Sequence, residues 1–253
     1  MNRYVALGSS MAAGPGIRPA AAGAPRAAGR SVRNYPHLVA HARNLELVDV
    51  TFSGATTAHL LTERQHGAPP QVEALDGSET LVTITIGGND VGYVPLLMAA
   101  ALLPRPARLL PPVGALFDRR QRQQALDEVE AALQAVGAAV RHRAPSARVL
   151  FVDYLTLLPP AGLRAGRLPE HVVELARHIA DELERYTAAA AVATGCEIVR
   201  AGQASREHHP WSAQPWTVGA GLPLPWRPWP FHPNPAGMAA VADMISAQLG
   251  AAD

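Results

Sequence analysis

The chain predicts an α/β fold built on a parallel sheet. Two observations carry this. Five short apolar runs rich in β-branched residues read as buried strands, and amphipathic segments at helical spacing separate them. Strands that alternate with helices form a parallel sheet covered on both faces. No internal repeat is visible. At 253 residues the simplest organisation is one domain, 1–253, with room for a sizeable core.

The first strand starts at about Arg3 and ends abruptly in Gly8-Ser9-Ser10, a tight turn feeding a helix or loop. Residues 15–33 are rich in Ala, Gly, Pro and Arg and read as a loop over the strand ends. Asn34-Tyr35-Pro36 opens a helix, because Asn caps well and Pro suits the first turn. Residues 45–51 form the second strand, followed by a turn at 52–57 and a short helix to about Arg64. Residues 80–86, apolar or β-branched at nearly every position, form a central third strand ending in Gly87-Gly88-Asn89-Asp90. Residues 95–103 are helical, and prolines break the chain over 104–112. Residues 116–142 form a long amphipathic helix with Leu126, Val129, Leu133, Val136 and Val140 on one face. Residues 148–154 are the fourth strand, 169–194 the second long helix and 197–200 a short fifth strand. Residues 201–231 have little regular patterning but hold all four tryptophans, which argues against disorder. Residues 235–249 form the closing helix.

Composition narrows the function classes. A net charge of +1 points to neither nucleic acid nor an anionic membrane. No apolar run is long and clean enough to span a bilayer, so stable membrane insertion is not expected. Cys196 is the single cysteine; no internal disulfide is possible, and it reads as a small apolar strand residue. A strand beginning near Arg3 leaves no room for a signal peptide, and a cytoplasmic protein is expected. His208-His209 lacks companions at ligand spacing, so no metal is expected. The turn at Gly8–Gly16 lacks both Gly-x-Gly-x-x-Gly and Gly-Lys-Ser/Thr, so a nucleotide enzyme is poorly supported. Nothing in the pattern sets an oligomeric state.

Each of the first three turns carries a polar or glycine group: Ser10, Gly54 and Asn89. In a parallel sheet these turns lie along one edge, where ligands bind. A fourth stretch, Trp229 to Pro235, carries His232 into the closing helix. The set Gly8-Ser9-Ser10 with Gly14, then Gly54, then Gly87-Gly88-Asn89-Asp90, then His232-Pro233-Asn234 with Gly237, resembles the SGNH hydrolase (GDSL esterase/lipase) superfamily. The four blocks stand in the family's order and cover the chain from end to end. The resemblance implies a flavodoxin-like three-layer α/β/α sandwich on a five-stranded parallel sheet. It implies Ser10 as nucleophile, His232 as general base, and an oxyanion hole from the backbone N–H groups of Ser10 and Gly54 with the Asn89 amide. These residue types suit acyl transfer, which needs a nucleophile, a base and donors for a developing oxyanion.

Two positions depart from the family pattern. Ser9 stands where the family has Asp before the nucleophile; the Gly8-x-Ser10-x-x-x-Gly14 spacing keeps Ser10 in register. Trp229 stands where the family's acid normally lies, three residues before the histidine. The expectation is therefore a Ser10–His232 dyad, with the Trp229 backbone carbonyl accepting from the imidazole Nδ1–H; Asp153 is the rival support. Trp211, Trp216 and Trp226 are expected to wall an apolar acyl site. The expected activity is hydrolysis of a small-molecule acyl ester without a cofactor. The alternatives are a non-catalytic ligand-binding protein on the same scaffold, or an acyltransferase or carbohydrate deacetylase using the same site.

Overall fold

The computed structural model describes residues 2–224 and 226–250. Five strands, β1 (Arg3–Gly8), β2 (Glu46–Asp49), β3 (Glu79–Thr85), β4 (Arg148–Val152) and β5 (Glu197–Val199), form one sheet in the order β2-β1-β3-β4-β5. Every pairing is parallel. The helices are α1 (Ser10–Ala13), α2 (Tyr35–Arg43), α3 (Thr57–Leu61), α4 (Tyr93–Leu102), α5 (Val113–Leu116), α6 (Arg119–Arg143), α7 (Glu170–Ala193), α8 (Ala201–Ala204) and α9 (Pro235–Leu249).

Alternation along the strands splits the core in two, as a period of two requires. Tyr4, Ala6, Leu81, Leu150 and Val152 face one way and pack with α2 and α9. Val5, Leu7, Val82, Ile84, Val149 and Phe151 face the other and pack with α6 and α7. The result is the three-layer sandwich with the flavodoxin-like strand order. In that order the chain leaves β1 toward one edge and later returns to place β3 on its other side. The crevice between the carboxyl ends of β1 and β3 is therefore the switch point at which such sheets bind ligands.

The local chemistry of the helix starts follows the sequence. Asn34 accepts from the His37 N–H at 3.0 Å, capping α2, and Asn234 accepts from the Gly237 N–H at 2.9 Å, capping α9. The loop at 15–33 is ordered by its own contacts: a bridge joins Ala20 to Ser31, and a short 3-10 turn spans Arg26–Ala28. The tryptophan-rich segment holds α8 and a bridge between Thr217 and Pro233. Cys196 lies before β5, partly packed against the core, and burial pushes its thiol up.

Candidate active site

Ser10 is the first residue of α1, directly after the turn that ends β1. That turn is clamped by three hydrogen bonds to two residues, Thr85 and Gln71. The Ser9 N–H donates to the Thr85 carbonyl at 2.9 Å. The Gln71 side chain accepts from the Gly8 N–H at 2.7 Å and donates to the Gly8 carbonyl at 3.0 Å. Gly8 runs so close to β3 that a Cβ would sit 2.5 Å from the Thr85 oxygen, so only glycine fits. Gln71 has no local pattern to announce it; it reaches Gly8 across 63 positions.

Ser9 and Ser10 have different partners. Ser9 is fully buried, and its hydroxyl lies 3.2 Å from the Tyr154 hydroxyl. The Tyr154 oxygen also accepts from the Gly88 N–H at 3.0 Å. One tyrosine thus ties the turn after β1 to the turn after β3. A Cβ on Gly88 would lie 2.2 Å from the Tyr154 ring, which explains the second glycine of Gly87-Gly88. The Ser10 hydroxyl instead meets the His232 Nε2 at 2.8 Å.

The His232 ring is buried, and its Nδ1 lies 2.8 Å from the carbonyl of Pro230. A carbonyl only accepts, so Nδ1 carries the proton and Nε2 accepts from the serine hydroxyl. This corrects the expectation for Trp229: the supporting carbonyl comes from two residues before the histidine, not three. The reason is the backbone at Phe231, which takes a left-handed φ of 56°. The chain reverses there while the Phe231 N–H and the His232 carbonyl both bond to Val218, at 2.8 and 2.9 Å. Trp229 supplies its ring instead, edge-on to the imidazole at 5.9 Å. Burial lowers the His232 pKa to about 4, against a smaller opposing effect of the Pro230 hydrogen bond.

The turns after β2 and β3 are joined. Asn89 Nδ2 donates to the Ala55 carbonyl at 2.7 Å. Asp90 accepts from the Thr57 hydroxyl at 2.6 Å and from the Thr57 N–H at 3.0 Å. Gly54, next to Ala55, has a left-handed φ of 80° and is exposed. The Asn89 amide has two N–H groups; the Ala55 carbonyl fixes one and so orients the other. At the entry to α9, a Cβ on Gly237 would fall 2.1 Å from the Trp216 carbonyl, which accounts for that glycine.

Other expected residues fall elsewhere. Asp153 does not support the imidazole: its Oδ1 accepts from the Gly202 N–H at 2.7 Å. Burial, with Glu184 nearby, pushes Asp153 up to about 7. Trp216 stacks on His208 at 3.9 Å and packs toward α2 and α9. Trp211 packs against the opposite core, and Trp226 is 63% exposed. None of these three lines either of two cavities, one flanked by Tyr154 and α7, the other by residues 15–30 and Trp229. Aromatic content alone does not say which rings are consumed by packing.

A flavodoxin-order sheet with a serine bonded to a buried imidazole at its switch point is the layout of a carboxylic ester hydrolase. The chain belongs to the GDSL-like lipase/acylhydrolase family, whose model matches residues 6–240. It is 32% identical to lipase 2 of Streptomyces coelicolor, over 98% of this chain and 85% of that one. It is 29% identical to a lipase of Streptomyces rimosus, over 93% and 82%. Among solved structures, an extracellular lipase from Streptomyces rimosus superposes with a TM-score of 0.81 at 25% identity, covering 98% and 99% of the two chains. A phospholipase A1 from Streptomyces albidoflavus has the same fold, with a TM-score of 0.78 at 24% identity over 97% and 98%. Among the described residues no helix is long and apolar enough to cross a membrane. The cytoplasmic expectation draws no support from these relatives, since the S. rimosus enzyme is extracellular.

Proposed function

We propose that this single-domain ester hydrolase works through an acyl-enzyme on Ser10, with His232 as the general base and no side-chain carboxylate behind it. The observation that carries the reading is the 2.8 Å contact between the Ser10 hydroxyl and His232 Nε2. As Oγ attacks the ester carbonyl carbon, its proton moves to Nε2. The negative charge on the former carbonyl oxygen meets the N–H groups of Ser10 and Gly54 and the second amide hydrogen of Asn89. Ser10 suits this because the first N–H groups of a helix have no intrahelical partner. Collapse breaks the bond to the alcohol oxygen, which takes the proton from Nε2. Water then repeats the sequence, with His232 as base, and releases the acid.

The Pro230 carbonyl performs half the work of a triad carboxylate: it fixes the tautomer and ring orientation but opposes the imidazolium only with a dipole. The neutral resting ring follows from its buried setting. The names of the Streptomyces lipases support acyl esters as substrates.

The test is hydrolysis of p-nitrophenyl esters, from acetate to decanoate, by wild type, Ser9→Ala and Ser10→Ala. Turnover by wild type and Ser9→Ala, with Ser10→Ala inactive, is the expected result. Full activity in Ser10→Ala would remove the reading.

A further inference from the structure

The turn that carries Gly54 is gripped by a second turn. Phe52 to Ala55 is closed by the Ala55 N–H, which donates to the Phe52 carbonyl at 3.0 Å. Gly54 has a φ of 80° while Ser53 stays outside the positive-φ region, which makes this a type II turn. Its central peptide joins Ser53 to Gly54. In a trans peptide the C=O and N–H point to opposite sides. The Ser53 carbonyl therefore leaves one face of the turn and the Gly54 N–H leaves the other. A flip of that one peptide converts type II to type I and exchanges the two faces.

The Gln65 side chain sits on the carbonyl face. Its Nε2 donates to the Ser53 carbonyl at 3.0 Å. The Oε1 of the same amide is buried with no partner among the described residues, a cost native structures seldom carry. The amide is thus committed to that one bond. Gln65 is itself held firmly. Gln65 and Ala68 exchange N–H···O bonds at 3.0 and 2.9 Å, and the positive φ of His66 (49°) and Gly67 (84°) makes that turn type I′. The His66 ring stacks on Phe52, with centroids 5.6 Å apart and planes 5° apart. The two turns therefore bear on each other at both Phe52 and Ser53. The Ala28 carbonyl adds a further hold on Ser53, accepting from its N–H at 3.0 Å and from its hydroxyl at 2.8 Å. The Gly54 N–H, on the face away from Gln65, donates to no acceptor among the described residues and belongs to an exposed residue.

We propose that Gln65 is a positioning residue for the oxyanion hole: it pins the Ser53 carbonyl and so keeps the Gly54 N–H aimed at the developing oxyanion. The proposal rests on the reading that makes Gly54 an oxyanion donor for the Ser10 reaction. Gln65 touches neither substrate nor reacting atoms; it acts through one peptide plane. The benefit is preorganisation, since a donor fixed before the reaction needs no reorientation as charge develops.

The test measures kcat and KM for p-nitrophenyl hexanoate, and Ki for hexyl trifluoromethyl ketone, in wild type, Gln65→Met, Gln65→Lys and Gly54→Ala. The ketone reports the oxyanion directly: Ser10 Oγ adds to its carbonyl carbon, the serine proton passes to His232, and the former carbonyl oxygen keeps the negative charge. Gln65→Met preserves side-chain length and removes the donor. Its kcat should fall about tenfold with KM nearly unchanged, the bias in peptide orientation that one hydrogen bond supports. Ki should rise by the same factor, because the adduct resembles the transition state. Ki is independent of the fraction of enzyme that is folded, so it reads the folded molecules even where a variant folds poorly. Gln65→Lys restores a donor of similar reach and should stay near wild type in kcat and Ki. In Gly54→Ala the new Cβ has room, its nearest neighbour being Gln65 Nε2 at 3.6 Å, but alanine disfavours the positive φ; its losses should exceed those of Gln65→Met. A wild-type Ki in Gln65→Met, or equal losses in Gln65→Met and Gln65→Lys, overturns the proposal and leaves the hydrolase reading intact. A wild-type Ki in Gly54→Ala removes Gly54 from the oxyanion hole, and that part of the hydrolase reading then fails together with the proposal.

Discussion

Replacing a carboxylate by a carbonyl behind the imidazole has a consequence that can be read in a pH profile. His232 is buried, faces no opposite charge, and has only the Pro230 carbonyl to favour its charged form. Burial therefore prevails, and the ring's pKa falls from 6.5 to about 4. That fall corresponds to about 3 kcal/mol of preference for the neutral ring. Because kcat/KM reports the free enzyme, its acid limb should bend near pH 4 rather than near neutrality. The assay is kcat/KM on a soluble hexanoyl ester from pH 3 to pH 8 at constant ionic strength. A limb centred between pH 6 and 7 would refute the reasoning, since it would require a charged partner at Nδ1. The same shift couples to stability. A folded pKa below the unfolded one means the folded state binds fewer protons, so the ring's contribution is complete above pH 6.5 and is lost as pH falls toward 4.

Three further outcomes follow from the geometry. Asn89→Ala should lower kcat by about 10²–10³ with little change in KM, the usual effect of one lost oxyanion donor; steady-state kinetics reads it. Tyr154→Phe removes the oxygen shared by Ser9 and Gly88 and leaves a part-buried N–H without its acceptor, a loss of about 1–3 kcal/mol; kcat should fall several-fold with KM nearly unchanged, and Tm should drop. Asp153 carries a folded pKa of about 7, raised above its unfolded value, so its contribution is fully present at acid pH and lost as pH rises through 7. Asp153→Asn should abolish that decline, leaving the variant relatively more stable at pH 8, by at most about 4 kcal/mol in chemical denaturation.

What could be read from the sequence was what depends on local pattern. The five strands follow from apolar runs bounded by turn residues, and the caps at Asn34 and Asn234 follow from side-chain chemistry. The pairing of Ser10 with His232 came from motif order, because 222 positions separate them. What could not be read depends on one dihedral or on distant packing. The left-handed φ of Phe231 decides that Pro230, not Trp229, meets Nδ1. Gln71 and Tyr154 grip the turns after β1 and β3 from other elements, with no spacing to mark them. The tryptophans divide by what they pack against: Trp216 serves a core, while Trp229 borders the imidazole. The loop at 15–30 is irregular in sequence, yet backbone bonds from Trp229 to Pro15 and from Ser53 to Ala28 fix it beside two of the turns.

The central claim is that Ser10, and not the neighbouring Ser9, is the activated nucleophile. Treatment with a fluorophosphonate followed by peptide mass spectrometry tests it most directly, because only an activated serine reacts rapidly. The expected result is one label per chain on Ser10, abolished in His232→Ala and retained in Ser9→Ala. A label on Ser9 or another serine, or undiminished labelling of Ser10 without His232, would contradict it.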